Sequence, residues 1–333
     1  MKSRGMIFVI ALLFVEVPDT AGSAQTVAES IDAHLSAAKT AAGFDWAGTL
    51  ARLCIVPPFV QRVADNPPGP PPARETWFIE PAKVFDNLYF VGSKIHNSWA
   101  LVNNDGIIIL DTLFTYNSEQ EILGGLKKLG LDANKIKYVI ISHAHSDHVG
   151  GAKLLQDRIP GVHVVMGGPD WDSTARSING YPQGKPKRDI VAADGQKITV
   201  GNNTVTLVLT PGHTPGTVSM LFTVRDNGKP INVAYSGGTA FNFPSTVPNF
   251  DVYIASQRKM AKAAADFNAT ILMSNHSEFD SAVPKIKAIA ARKSGEPHPY
   301  EAGKDAVQRY FKVTEECAQA QRLKVSQIAA KPN

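Results

Sequence analysis

The sequence of 333 residues predicts a layered α/β protein, in which sheets pack on each other and helices cover the outside. Strand signals dominate the beginning of each half of the chain, and helix signals close each half. The strict strand–helix alternation that indicates a doubly wound sheet is not seen. Hydrophobic residues make up 44% of the chain and charged residues 19%, a composition that supplies an ample core and excludes disorder.

The charge balance argues against two classes of partner. The formal net charge is +4, and the lysines and arginines do not gather in one block, so the charge gives no indication of nucleic acid binding. No apolar run reaches the ~18 residues that span a membrane. We therefore predict neither a nucleic acid nor a membrane as partner.

The first 24 residues have the pattern of a secretory signal peptide. Lys2 and Arg4 precede an apolar run over residues 6–15, and small residues follow up to Ala24. We place cleavage after Ala24, which predicts export to the periplasm, an oxidising compartment. A buried N-terminal helix is the alternative.

Residues 25–76 are predicted to form a helical extension with a proline-rich connector. Apolar residues recur at helical spacing over residues 31–42, whereas the prolines of residues 66–72 exclude a helix or an inner strand. Cys54 lies in this extension and Cys317 in the last helix. Export favours a disulfide between them, and two buried free thiols are the alternative.

The main domain is predicted to span residues 77–333, and its elements follow in order. In the first half, strands are expected at residues 84–92, 99–111 (with a turn at 104–106), 136–142 and after Pro160, and helices at residues 118–129 and after His148. In the second half, hairpins are expected around residues 201–203 and 226–228, a strand at 270–274, and helices at 254–267, 282–293 and 307–329.

A cluster of metal-binding residue types follows the buried strand that ends at Ser142. It contains His143, His145, Asp147 and His148 within six residues. In an extended segment, residues two apart point the same way, so His143 and His145 can share one ion. Asp147 and His148 enter the next turn and face another direction, so one loop can serve two metals. Imidazole and carboxylate ligands suit zinc.

Two further histidines follow strands in the second half of the chain. His213 lies in the sequence Thr-Pro-Gly-His-Thr-Pro-Gly, just after a strand, and His276 follows the strand at 270–274. Each alone would be read as a turn or core histidine, but beside the first cluster both become candidate ligands. Asp111, at the end of a strand, is expected to orient the ligand loop by a hydrogen bond, with a turn cap as the alternative.

The remaining histidines are given other roles by the sequence. His34, His163 and His298 are read as structural or surface residues. His96 lies in a loop between two early strands, and we predict it to be a surface loop residue, with a position at the border of the pocket as the alternative.

The motif His-Ala-His-Ser-Asp-His-Val-Gly-Gly, followed by Pro-Gly-His-Thr-Pro-Gly and a late histidine, resembles the metallo-β-lactamase superfamily. The resemblance runs from about Trp77 to the end of the chain and implies an α/β fold of four layers, the αβ/βα sandwich. It also implies two zinc ions per chain. The implied ligands are His143, His145 and His213 for the first ion and Asp147, His148 and His276 for the second.

One stretch distinguishes classes within that superfamily. Many members have an Asp that bridges both metals after a late strand, and two β-lactamase subclasses have a Cys there. Residues 233–240 contain neither. The sequence therefore resembles the third subclass of metallo-β-lactamases, whose ligands are Asp and His only. Ser236 and Thr239 are the nearest polar candidates for binding a substrate, with a role in a turn as the alternative.

The resemblance implies a zinc-dependent hydrolase that opens the β-lactam ring of antibiotics, a small-molecule substrate, with a metal-bound hydroxide. Asp147 would be catalytic as well as a ligand, because it orients the hydroxide. The first alternative is an exported zinc hydrolase of a lactone, ester or amide, since a fold does not fix a substrate. A metal-binding protein without catalysis and a thiol-linked dioxygenase with one iron are further alternatives.

Overall fold

The fold was obtained as a computed structural model, which describes residue 1 and residues 29–55, 70–177 and 181–330. Residues 2–24 of the predicted signal peptide and residues 66–69 of the connector lie outside the described residues. No described helix has the length and apolar character needed to cross a membrane.

Twelve strands among the described residues form two sheets. The first sheet has seven strands in the order of the chain. They are β1 (Ala82–Lys83), β2 (Leu88–Phe90), β3 (Trp99–Asn103), β4 (Gly106–Leu110), β5 (Ile136–Ile140), β6 (His163–Met166) and β7 (Ile190–Val191). The second sheet contains β8 (Lys197–Val200), β9 (Asn203–Leu209), β10 (Val218–Asp226), β11 (Lys229–Ser236) and β12 (Ile271–Ser274).

Helices follow or separate these strands. In the first half, α1 (Ile31–Ala42), α2 (Ala47–Leu50) and α3 (Arg74–Trp77) precede the first sheet. Next come α4 (Gly124–Lys128), α5 (Ser146–Val149), α6 (Ala152–Arg158) and α7 (Gly168–Arg176). The second half contains α8 (Val247–Asp266), α9 (Ser277–Asp280), α10 (Ala282–Ala291) and α11 (Lys304–Ala329). Single π-helical turns lie at Ala51–Ile55 and Glu119–Leu123, and a 3₁₀ turn lies at Ala133–Lys135.

The topology places the polar loops at one edge of the sheets. Strands β4, β5, β6 and β7 are parallel neighbours, so their carboxyl ends lie on the same side. In the second sheet, β11 and β12 are also parallel. The strand ends that carry the predicted ligands therefore converge, as ligand-binding loops do in open α/β sheets.

The predicted four-layer αβ/βα sandwich is confirmed by three sets of buried contacts. Between the sheets, Leu101 and Ile108 pack with Val205 and Phe222 in one apolar cluster. A second cluster joins the outer face of the first sheet to α4, α6 and α7. A third joins the outer face of the second sheet to α1, α8 and α11. Both faces of each sheet are covered, which explains why the inner strands are almost continuously apolar.

The element boundaries differ from the predictions where local caps decide them. The predicted strand over residues 84–92 is interrupted because the backbone N–H groups of Val84 and Phe85 both donate to the carbonyl of Leu88 in a tight turn. Helix α8 begins at residue 247, seven residues before the predicted start (254 − 247). There the Thr246 side chain accepts from the N–H of Asn249, and Pro248 lies in the first turn.

The N-terminal extension is helical, as predicted, and packs against the outside of the last helix. The indole N–H of Trp46 donates to the carbonyl of Ala306 (2.8 Å), and Thr49 donates to the carbonyl of Phe279 (3.0 Å). Arg309 forms an ion pair with Asp45. The described part of the extension therefore covers α11 and α9.

Cys54 and Cys317 form a disulfide, which decides between the two alternatives left by the sequence. The bond joins the π-helical turn of the extension to the middle of α11, across 263 residues of chain. It closes a loop that contains nearly the whole domain.

Replacing both cysteines by serine is expected to lower the free energy of unfolding by ~2–5 kcal/mol, because the unfolded chain loses a long-range constraint. Urea unfolding, followed by circular dichroism, measures the change. A reductant should shift the midpoint of the wild type and leave the double variant unaffected. Equal midpoints for the oxidised wild type and the variant would contradict the prediction.

Candidate metal centre

The loop after β5 brings the first predicted ligands to the edge of the first sheet. The chain leaves the strand at Ile140 and turns into α5 at Ser146. Gly150 and Gly151 let the loop lie against the segment that follows β4. A Cβ atom at Gly150 would lie 2.6 Å from the carbonyl oxygen of Leu113, and one at Gly151 would lie 2.6 Å from that of Thr112. These glycines are needed for the close approach of two backbone segments.

The structure brings His143, His145 and His213 together as a first triad. Nε2 of His213 lies 3.0 Å from Nε2 of His143 and 3.1 Å from Nδ1 of His145. Nδ1–H of His143 donates to the carbonyl of Gly237 (2.8 Å), and Nδ1–H of His213 donates to the carbonyl of Ala240 (2.6 Å). Because Nδ1 carries the proton in both rings, the free lone pairs lie on the two Nε2 atoms, which face each other.

Asp147, His148 and His276 form a second triad beside the first. Nε2 of His148 lies 3.0 Å from Nε2 of His276, and each of these atoms lies 3.2 Å from Oδ2 of Asp147. The rings of His143 and His148 are 4.2 Å apart between centroids, so the two triads are neighbours.

The donor atoms fit a zinc ion at each triad. Four ligands about 2.0–2.1 Å from a tetrahedral zinc are separated from each other by about 3.3 Å. Five of the six donor-atom pairs within the two triads are 3.0 to 3.2 Å apart. Nitrogen lone pairs at this separation repel one another unless a cation lies between them. The first triad could therefore hold a metal ion, and Asp147 could share another with His96 and His276 or with His143 and His148. The distances within the second triad admit an ion there as well.

The electrostatics of the site favour the metal-binding protonation state of His143, His213 and Asp147, but not that of His148. Burial lowers the pKa of His143 and of His213 well below the ordinary value, and neighbouring imidazoles lower it further. Burial also acts to lower the pKa of His148, but Asp147 and Asp111 outweigh it and raise the pKa. Burial opposes ionisation of Asp147, yet His148 holds its pKa well below the ordinary value. A metal at the second triad would therefore displace a proton from His148.

Asp111 lies under the loop that follows β5 and hydrogen-bonds to it. Its Oδ1 accepts from the backbone N–H of Ser142 (2.6 Å), and its Oδ2 accepts from the Ser142 hydroxyl (2.8 Å) and from Nδ1–H of His148 (3.0 Å). The side chain is completely buried, and its backbone lies in the left-handed region at φ 60°. Asp111 thus fixes both the loop and the tautomer of His148.

A second carboxylate, Asp170, connects the two loops of the first triad, and no sequence motif marks this residue. Its Oδ2 accepts from the N–H of Ala144 and from the hydroxyl of Thr214, both at 2.7 Å. Its Oδ1 accepts from the N–H of Gly216 (2.8 Å). Ala144 lies between His143 and His145, and Thr214 follows His213, so Asp170 fixes the distance between the loops of the first triad.

The interpretation of His96 as a surface loop residue is wrong. The His96 side chain is only 17% exposed, and its Nε2 lies 3.4 Å from Oδ2 of Asp147. The ring also contacts the ring of His276, with centroids 5.0 Å apart. His298, by contrast, is a buried structural residue that donates to the carbonyl of Val84, and His163 is exposed on β6.

Ser236 and Thr239 lie beneath the site. Their hydroxyl groups are 3.2 Å apart, and the Thr239 hydroxyl is 2.7 Å from that of Tyr310. Both residues are almost completely buried. Neither lines the pocket described next, so the predicted contact with a substrate finds no support in this geometry.

A pocket of about 500 Å³ opens beside the first triad. His145 and His213 form its floor, and its walls include Tyr181, Asn242 and Phe243. Among its described lining residues there is no Lys or Arg. The pocket therefore offers a substrate a partly apolar wall, a few polar groups and the exposed side of the first triad.

The fold and this pair of triads define a class of protein. A family model described as the metallo-beta-lactamase superfamily matches residues 91–272, more than half of the chain. The protein therefore belongs to this superfamily.

Two solved structures of metallo-beta-lactamases have similar folds. BJP-1, a subclass B3 metallo-beta-lactamase of Bradyrhizobium japonicum, is similar with a TM-score of 0.60 and 24% identity, over 76% of this chain and 96% of that one. FEZ-1, a metallo-beta-lactamase from Legionella gormanii, gives a TM-score of 0.64 and 21% identity over 76% of this chain and 98% of that one. At these identities the likeness establishes the fold alone.

A curated relative of another activity also matches. An N-acyl homoserine lactonase from Bacillus sp is 27% identical over 165 residues, which cover 46% of this chain and 62% of the lactonase. The match thus spans less than two thirds of that relative's length.

Proposed function

We propose that the protein is a zinc-dependent hydrolase that opens the β-lactam ring of antibiotics. The proposed centre holds two zinc ions per chain. Its ligands are His143, His145 and His213 for the first ion and Asp147, His148 and His276 for the second. The pattern of residues 1–24 supports export to the periplasm, where such an activity would contribute to antibiotic resistance.

The observation that carries this proposal is the His-and-Asp ligand set, without a bridging Asp or Cys. After β11, where other members of the superfamily carry that Asp or Cys, backbone atoms of this chain face the site. The carbonyl of Gly237 accepts from His143 and from the side chain of Asn275 (2.8 Å each). A Cβ atom at Gly238 would lie 2.6 Å from the side chain of His213. Any side chain at Gly238 would therefore displace a ligand of the first triad.

The chemistry follows from the residues around the two ions. Zinc held by such ligands lowers the pKa of a water molecule to about 7 and polarises a carbonyl group. Asp147 is assigned the role of orienting the attacking water, since its carboxylate is fixed by His148 and His276 and is still 15% exposed. The pocket wall of Asn242 and Phe243 would hold the substrate's ring against the first triad.

The test is ring opening of a penicillin, a cephalosporin and a carbapenem by the zinc-loaded mature protein, followed by absorbance. We expect kcat/KM above ~10⁴ M⁻¹s⁻¹ for at least one of them. A chelator should remove the activity and added zinc should restore it. A protein that carries two zinc ions and opens none of the three rings would overturn the β-lactam assignment.

A second candidate is an exported hydrolase of a lactone, ester or amide, and the pocket's charge favours it. β-Lactam antibiotics carry a carboxylate, and the described pocket lining provides no Lys or Arg to bind it. An acyl lactone is uncharged, and the similarity to the Bacillus lactonase points to the same chemistry. The same assay on acyl homoserine lactones and uncharged aryl esters separates the candidates, because it replaces only the substrate.

A further inference from the structure

The inference concerns His96, which lies outside the two triads but against the second one. We propose that His96 is a fourth protein ligand of the second metal, so that the second site is closed by four side chains and the first site alone is open. The proposal goes beyond the proposed substrate, and it holds for any hydrolase built on this centre.

Distance is the first argument. Nε2 of His96 lies 3.4 Å from Oδ2 of Asp147, close to the separation of about 3.3 Å between two ligands of one tetrahedral zinc. The donor atoms of His96, Asp147 and His276 all lie within 4.8 Å of one another. The same carboxylate oxygen lies 3.2 Å from Nε2 of His148 and 3.2 Å from Nε2 of His276. Three imidazole nitrogens therefore surround one carboxylate oxygen.

Backbone contacts hold His96 in this position. The residue forms an isolated antiparallel β-bridge with His276. On either side of that bridge, Asn97 donates to the carbonyl of Asn275 and Ser277 donates to the carbonyl of Ile95, both at 2.8 Å. The loop that carries His96 is thus fixed to the segment that carries another ligand, which is the preorganisation that a metal site needs.

Packing supports the same role. The His96 ring packs edge-on against Phe114, with centroids 4.9 Å apart, and edge-on against His276, with centroids 5.0 Å apart. These two contacts hold the imidazole against the second triad.

The consequence is an asymmetric pair of sites. The first triad supplies three ligands, and two of its members, His145 and His213, line the pocket. With His96 included, the second site has four protein ligands and none of them lines that pocket. Closed four-ligand zinc sites are typical of structural ions, and three-ligand sites with an open position are typical of catalytic ones. The first site would then bind the substrate, while the second would fix the loop and Asp147.

The experiment measures metal binding, so that it does not depend on finding the substrate. Metal-free wild type, His96→Ala, His96→Gln and His163→Ala are titrated with zinc in competition with a chromophoric chelator. We expect both His96 variants to lose at least ~10-fold in affinity at one of two sites and to keep the other unchanged. His163→Ala removes an exposed histidine of β6 and should bind zinc as the wild type does.

The glutamine variant separates ligation from hydrogen bonding. Its amide can donate to Asp147 as a protonated His96 would, but it is a poor zinc ligand. Cobalt-substituted His96→Gln should show a changed visible spectrum for one ion only, because one nitrogen ligand has been lost. Wild-type affinity in His96→Ala, or wild-type affinity and spectrum in His96→Gln, would overturn the proposal. Thermal unfolding of the metal-free proteins verifies that each variant is folded.

Discussion

Replacing Asp147 by alanine is expected to lower kcat/KM by about 10³-fold or more, because the variant loses both a metal ligand and the group that orients the attacking water. Oδ2 of Asp147 lies 3.2 Å from Nε2 of His148 and 3.2 Å from Nε2 of His276, the nitrogens proposed to bind the second ion. Without this carboxylate, the second triad keeps imidazoles but no negative charge to balance a divalent cation. We therefore expect the second zinc to be lost as well.

Zinc content by atomic emission and turnover of the best substrate from the panel measure this prediction together. Asp157→Ala is a matched control, because it removes an exposed carboxylate of α6 that pairs with Lys153 at the surface. The control should retain both zinc ions and full activity. An Asp147→Ala protein with two zinc ions and undiminished kcat/KM would refute the assignment.

The candidate site could be predicted from the sequence to the extent that its ligands follow strands. His143, His145, Asp147 and His148 occupy one loop after β5, so their proximity is a matter of local geometry. His276 could be added because parallel strands end at the same edge of a sheet. The layered fold was predictable for a similar reason, since apolar runs and turn residues mark the strands of both halves.

The residues that the sequence did not assign act through contacts between distant segments. Asp170 lies in the first turn of α7 and reaches the loops of two different strands, and no local pattern marks such a residue. The sequence predicts His96 to be a surface residue because it lies in a loop between two early strands. Its burial depends on Phe114 and on the bridge to His276, which lies 180 residues away (276 − 96). Neither contact can be derived from residue spacing.

Asp111→Ala is expected to be the most destabilising single substitution in this centre, because it leaves buried donors without an acceptor. The Asp111 carboxylate accepts from the N–H and the hydroxyl of Ser142 and from His148, and all three groups are buried. We expect the free energy of unfolding of the metal-free protein to fall by ~3 kcal/mol or more. Urea unfolding measures the change, with Asp157→Ala again as the exposed control.

Asp111→Asn distinguishes the two functions of this carboxylate. The asparagine oxygen can still accept from the N–H of Ser142, so stability should fall less than in the alanine variant. Its amide N–H₂ cannot accept from Nδ1–H of His148, so that ring loses the bond that fixes its tautomer. Zinc affinity at the second triad should then fall by ~10–100-fold, as measured by chelator competition, while the first triad is unaffected. Unchanged affinity at the second triad in Asp111→Asn would contradict this prediction. It would show that the contacts of the buried His148 ring with Asp147 and His276 are enough to orient it.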